Sequence, residues 1–268
     1  MDRTIAKIYA LTLNTLQDIL RKRVLYVVLI LVVLVVAAIF SQLQLLQMAS
    51  DAGESTTKIT AGFVGQALDT WDFFACFLAV FFGAVGISSE VTAKTIVHVL
   101  SRPVGRTVYL TGRWFGTLLF LWGFQCVGIL FALLIVRIFD VHLTPMFWVG
   151  CADMFFKPVL YSGVSLSLSV FLPPVLAGSC TFLLTIASTI IGGYLHHPVW
   201  ILRQFAKLAY YIPPAEMPVD LISASFTKEL LHPDYTLYFL VMGENILYAI
   251  MIFLVACAIF ARRELKLR

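Results

Sequence analysis

The chain has 268 residues, 60% of them hydrophobic and 13% charged, with a mean hydropathy of +0.93 and a formal net charge of +4. Soluble domains are about one quarter charged, so this composition excludes a soluble enzyme or nucleic-acid-binding module and predicts an integral membrane protein. Spans and short loops use up the length and leave no room for a separate soluble catalytic domain.

Residues 2–22 read as an amphipathic helix. Ile5, Ile8, Tyr9, Leu16, Ile19 and Leu20 can share one face, with Arg3, Lys7, Asn14, Gln17, Asp18 and Arg21 largely opposite, while Leu11 and Leu13 blur the stripe. Such a helix is expected to lie in the headgroup plane rather than to cross. Arg21-Lys22-Arg23 then anchors the chain, and no cleavable signal peptide is expected, because the apolar run from Val24 lacks a small-residue cleavage site after it.

The first predicted span covers residues 24–44, of which Val24–Phe40 is free of charge, glycine and proline. A crossing needs about 20 residues at the helical rise, so the interfacial glutamines that follow are needed to complete it. A polar loop with Asp51, Gly53, Glu54 and Lys58 comes next, with Gly62 and Gly65 as further weak points, and span two is predicted at 71–88.

Ile87–Arg113 is the one long internal loop that is markedly basic: Lys94, Arg102, Arg106 and Arg113 oppose the single acid Glu90. Thr92–Leu100 has enough apolar residues for a short helix, which Ser101-Arg102-Pro103 should end, since proline disfavours helix in the residue before it. The order Glu90…Lys94-Thr95…Ser101-Arg102-Pro103-Val104-Gly105-Arg106 resembles the first cytoplasmic loop of ABC type-2 exporter permeases. Three positions depart from that pattern: Ser89 and Lys94 stand where glycines are usual, and Arg113 where a lysine is usual.

Spans three to six are predicted at 114–136, 146–172, 175–195 and 236–261. Span four is unusual, for it carries Asp153, Lys157 and Pro158 and then alternates Ser162, Ser165, Ser167 and Ser169 with apolar residues. Pro173-Pro174 makes a tight turn before span five. Residues 196–235 form the longest loop, with short interfacial helices expected around Trp200–Ile212 and Val219–Leu231.

Lysine and arginine bias sets the orientation. With the N-terminus inside, the inner segments hold Arg3, Lys7, Arg21, Lys22, Arg23, Lys94, Arg102, Arg106, Arg113, Arg262, Arg263, Lys266 and Arg268, which is 13 of the 19 basic residues. The prediction is therefore six spans with both termini cytoplasmic, and with 41–70 and 196–235 outside.

Asp153 and Lys157 are spaced i, i+4 and meet on one helix face. Ions inside a membrane are costly unless paired or wet, which makes them functional candidates; the alternative is that the pair only positions the span, with Lys157 snorkelling. Glu244, beside Asn245 in span six, carries the same two readings. His196-His197 does not make a metal site, since adjacent helical residues do not face one another and no acid or cysteine accompanies them. The cysteines, Cys76, Cys126, Cys151, Cys180 and Cys257, sit singly in or beside different apolar runs and read as packing residues. No Gly-x-x-x-x-Gly-Lys-Ser/Thr motif occurs, so ATP would not be bound by this chain in that manner.

The resemblance implies a single all-α permease domain over 1–268, with an N-terminal elbow helix, a cytoplasmic coupling helix and short outer-loop helices. It implies coupling to an ATPase through Glu90, Lys94, Thr95, His98, Arg102 and Arg106. Two copies would rest on two separate ABC ATPase subunits that carry the ATP and magnesium, in the cell membrane of a bacterium. The cargo class is amphiphilic or lipid-like, and membrane lipid and an extracytoplasmic accessory protein are further partners to consider; nucleic acid is not one. Two other readings stay open: a mechanotransmission subunit without a transport path, and a stand-alone intramembrane enzyme or channel using Asp153, Lys157 and Glu244.

Overall fold

The computed structural model describes residues 2–21, 30, 56–92, 105–194, 203–204, 206–207, 210, 213–215, 217, 220–226 and 234–262. Among them the chain is helical, with no strand: α1 (Asp2–Arg21), α2 (Thr56–Thr92), α3 (Arg106–Ile138), α4 (Met146–Ser169), α5 (Pro174–Tyr194), α6 (Leu221–Phe226) and α7 (Tyr235–Arg262). Three stretches among the described residues are long and apolar enough to cross a membrane: Thr60–Gly86, Arg106–Ile138 and Tyr235–Arg262. Pro174–Ala187 is a shorter apolar helix. The expected first span, 24–44, lies outside the described residues except for Ile30.

The helix α2 begins at Thr56, well before the predicted start of span two at residue 71. The polar loop chemistry is overridden by a buried stripe at helical spacing: Thr60, Val64, Leu68, Trp71 and Ala75 are all at most 5% exposed. Gly65, a weak point in sequence, lets the Phe226 ring of α6 approach to 3.1 Å of where a Cβ would stand.

The turn from α3 to α4 is a Schellman stop. Asp140 takes φ +48°, and the Val141 N–H bonds back to the Val136 carbonyl at 3.1 Å. Val136 and Val141, both buried in one cluster, supply the apolar contact that accompanies this motif. At the other end of α4, the chain turns through Pro173 and re-enters helix at Pro174, where a missing N–H costs nothing.

The central helix is α4, packed against α2, α3, α5, α6 and α7. This explains its serines. Ser162 and Ser167 donate to carbonyls one turn back, Pro158 at 2.6 Å and Gly163 at 2.6 Å, and Ser165 donates across to the Val80 carbonyl of α2 at 2.7 Å. Small hydroxyl residues let helices approach closely while satisfying their own polarity, as helix packing in lipid requires.

The amphipathic α1 is docked on α3 rather than lying alone on a surface. Gly112 and Gly116, spaced i, i+4, face it: a Cβ on either would stand 2.6 Å from Cβ of Leu11 or Thr15. Thr12 donates to the Gly112 carbonyl at 3.4 Å. Ile19 and Thr15 are buried on this side, whereas Ile5, Tyr9 and Leu20 remain exposed, so the apolar stripe read from sequence serves two surfaces.

Candidate functional site

The site begins with Trp71 of α2. Its indole stacks on Phe124 of α3, ring centroids 4.4 Å apart, and its Nε1–H donates to the Phe124 carbonyl at 3.2 Å. This contact requires glycine at 128, where a Cβ would stand 2.4 Å from the indole nitrogen. With Trp71 fixed on Phe124, the next residues in each helix, Asp72 and Gln125, meet inside the protein.

Pro158 supplies the second condition. A proline in a helix leaves the carbonyl four residues earlier without its donor, and here that carbonyl belongs to Met154. Gln125 Nε2 donates to it at 3.1 Å and to Asp72 Oδ1 at 2.8 Å. One turn back along α3, Trp122 Nε1 donates to the Phe155 carbonyl at 2.9 Å. Two side chains of α3 thus cover the carbonyls around the proline break in α4.

Lys157 completes the node. Its Nζ lies 2.9 Å from Asp72 Oδ2 on α2 and 2.9 Å from Asp153 Oδ2 on its own helix. Asp72, Asp153 and Gln125 are buried, the last completely, while the lysine side chain keeps one third of its surface. Two carboxylates share one ammonium, so the trio carries a net negative charge when all three are ionised. The i, i+4 pair expected from sequence is present, and a third member, Asp72, joins it from another helix.

A cavity of about 460 Å³ opens over this node, lined by Asp69, Asp72, Phe73, Cys76, Asp153, Lys157, Tyr161, Met217, Asp220 and Leu221. Its cover is the segment at α6. Asp220 caps that helix by accepting from the Ile222 N–H at 3.3 Å, and Leu221 and Ile222 are buried below it. Thr144 Oγ1 donates to the Ser225 carbonyl at 2.7 Å and ties the cover to the α3–α4 turn. Among the described residues no group of three or more His, Cys, Asp and Glu is arranged to hold a metal ion.

At the opposite end of the helices the polar contacts differ in kind. Arg113, expected in a loop, is buried within α3. It donates to the Gly86 carbonyl at 3.0 Å and lies 3.8 Å from Asp18 of α1, so it joins three helices. Arg106 starts α3 and donates to the Phe260 and Ala261 carbonyls at 3.4 and 3.3 Å, covering open carbonyls in the last turn of α7.

Of the remaining sequence candidates, Glu90 lies in the last turn of α2. Lys94, Thr95, His98 and Arg102 fall outside the described residues, as does the expected short helix 92–100 apart from Thr92. Glu244 stands on the exposed face of an unbroken α7 and is not among the residues lining the cavity. Its neighbour Asn245 donates to the Ala215 carbonyl at 3.0 Å. Sequence reasoning missed Asp72 and Gln125. The available signal was an acid and an amide, Asp72 and Gln125, each one residue after a large aromatic and followed by a long apolar run.

A family model described as ABC-2 family transporter protein matches residues 9–265. Comparison with curated proteins gives no match.

Proposed function

Because the chain belongs to the ABC-2 family of transporter proteins, and is thus a permease subunit of an ABC transporter, we propose the following working unit. Six spans place both termini in the cytoplasm, two copies pair in the membrane, and each rests on a separate ABC ATPase subunit that carries ATP and magnesium. The basic 89–113 segment, with Glu90 at its membrane end, receives the ATPase stroke. The cargo leaves the cell and is amphiphilic or lipid-like.

One observation carries this reading: α2 is unbroken from Thr56 to Thr92, so one helix bears both Glu90 and Asp72. At 1.5 Å per residue the two are about 27 Å apart along the same rod. A push at the Glu90 end is therefore delivered directly to the polar node. The cargo class is supported by the cavity, whose wall joins carboxylates to Phe73, an aromatic 62% exposed on the outside of the helices. A cationic or hydrogen-bond-donating headgroup fits the first and an acyl chain the second.

The test uses the permease reconstituted with its ATPase in liposomes of native lipid. Glu90→Ala should leave assembly intact yet remove the stimulation of ATP turnover by lipid or cargo, together with transport. Unchanged stimulation and transport in that variant would take Glu90 out of the mechanism.

A further inference from the structure

The node is built so that it can be divided. On the 146–157 side of Pro158, three polar contacts cross the seam between α4 and the α2–α3 pair: Lys157 to Asp72, Gln125 to the Met154 carbonyl, and Trp122 to the Phe155 carbonyl. If the seam opens, each side keeps a satisfied pair. Lys157 stays with Asp153 on α4, and Asp72 stays with Gln125 across α2 and α3. Asp72 gives up its cation but keeps the bond from the Gln125 amide and lines the cavity that the opening widens, where water can take the place of Lys157 and offset the usual penalty for breaking an ion pair in low dielectric.

The two halves of α4 are also held differently. Beyond Pro158 the helix is pinned to α2: a Cβ at Gly83 would stand 2.8 Å from Ser165 Cβ, and Ser165 donates to the Val80 carbonyl. Trp114 Nε1 pins the same half to α3 through Ser162 Oγ at 3.1 Å. Before Pro158, α4 is held to α2 and α3 by the apolar packing of Phe147, Cys151 and Met154 and by the three bonds above, and it meets α2 beside the cavity. A proline is where a helix bends at least cost, because one ladder bond is already missing.

We propose that Asp72, Gln125 and Lys157 form a releasable latch, and that the 146–157 half of α4 swings from α2 about Pro158 to widen the cavity. Asp72 is the partner that Lys157 gives up and Asp153 the one it keeps. In the latch they act as positioning residues: their bonds set when the cavity is open, whichever part of its wall the cargo touches. Only the place of this motion in a transport cycle rests on the permease reading above; the hinge itself can be measured without nucleotide or cargo.

The experiment is pulsed electron paramagnetic resonance on the full chain in nanodiscs, with the five native cysteines replaced. One pair of spin labels, at the exposed Gln66 of α2 and Trp148 of α4, spans the latch; a second, at Phe81 and Phe171, spans the pinned level. Asp72→Asn, which keeps the shape and the bond from Gln125, should lengthen the first distance by about 5 Å, as expected for a bend of roughly 20° over the ten residues from Pro158 to Trp148. Asp153→Asn should leave it at the wild-type value, because the cross-seam bond survives. The second distance should not change in either variant. Combining Asp72→Asn with Pro158→Ala should cancel the lengthening. Asp72→Ser carries the same test if the asparagine variant fails to insert. No lengthening on loss of the Asp72 charge, or equal lengthening in the two carboxylate variants, would overturn the latch and leave the node as plain scaffolding; the family assignment would be untouched.

Discussion

Arg113 and Lys157 are both cations that join three-helix meeting points, one at the α1 end and one at the opposite end. Arg113 donates to a main-chain carbonyl, and its carboxylate neighbour is a longer 3.8 Å away and 42% exposed. Lys157 has two equivalent carboxylates at 2.9 Å, one on its own helix and one across the seam. A carbonyl of an unbroken helix cannot be exchanged for another partner, so the first contact is a fixture. A shared carboxylate can be given up while the other is kept, so the second is a switchable contact. The difference lies in what the cation is bonded to, not in its burial.

The largest effect should come from removing the cation that has no substitute. Lys157→Met leaves Asp72 and Asp153 buried and facing one another, a loss of about 3–5 kcal/mol by analogy with broken buried pairs. Monodisperse yield and melting of the solubilised protein would both collapse. The triple change with Asp72→Asn and Asp153→Asn should recover most of that yield. The Asp153→Asn and Lys157→Met double change should not, because Asp72 remains buried without a cation. Full recovery in the double variant would show that Asp72 does not belong to the node.

Gly116→Val should come next. A Cβ there overlaps Thr15, so α1 must separate from α3 or shift, at about 1–3 kcal/mol for overpacking. Limited proteolysis should then cut within residues 2–21 faster than in the wild type. An unchanged cleavage rate would mean that the glycine contact does not hold α1.

Arg113→Met should cost about 1–3 kcal/mol, the range for a charge-assisted bond and the acceptor it leaves. It should do so with little dependence on salt, since its principal bond is to a buried carbonyl. Arg106→Gln is expected to be smallest, about 0.3–1 kcal/mol, because it loses only a helix-end contact near the surface. Thermal melts at low and high salt distinguish the pair: Arg106→Gln should lose its deficit as ions screen it, and Arg113→Met should not. The reverse pattern would invert the fixture argument at this end.

The composition and the unbroken apolar runs made α3, α5 and α7 legible in sequence, because a lipid-facing helix must be apolar almost everywhere. The proline and the Asp153–Lys157 spacing likewise pointed to α4 as unusual. What stayed hidden is pairwise. Asp72 falls at the very start of the predicted 71–88 span because the start of α2 reads as a loop, and only the packing of Val64 and Leu68 reveals that the helix continues there. Gln125 is silent in sequence, since its function depends on a proline 33 residues later. Arg113 was read with its charged neighbours as part of a loop, whereas its register on α3 turns it toward Gly86 and Asp18.

The docking of α1 has a consequence in time. Thr12 and Gly112 are 100 residues apart in the chain, and synthesis proceeds at about 5–20 residues per second. The first helix therefore leaves the ribosome about 5–20 seconds before its seat on α3 exists. Through that interval its apolar side, including the Thr15 and Ile19 surface later buried, has only the bilayer surface to rest on. The amphipathic pattern thus serves a waiting state as well as the finished fold. Its second role begins when the twin glycines arrive and seat the Thr15 and Ile19 side on α3.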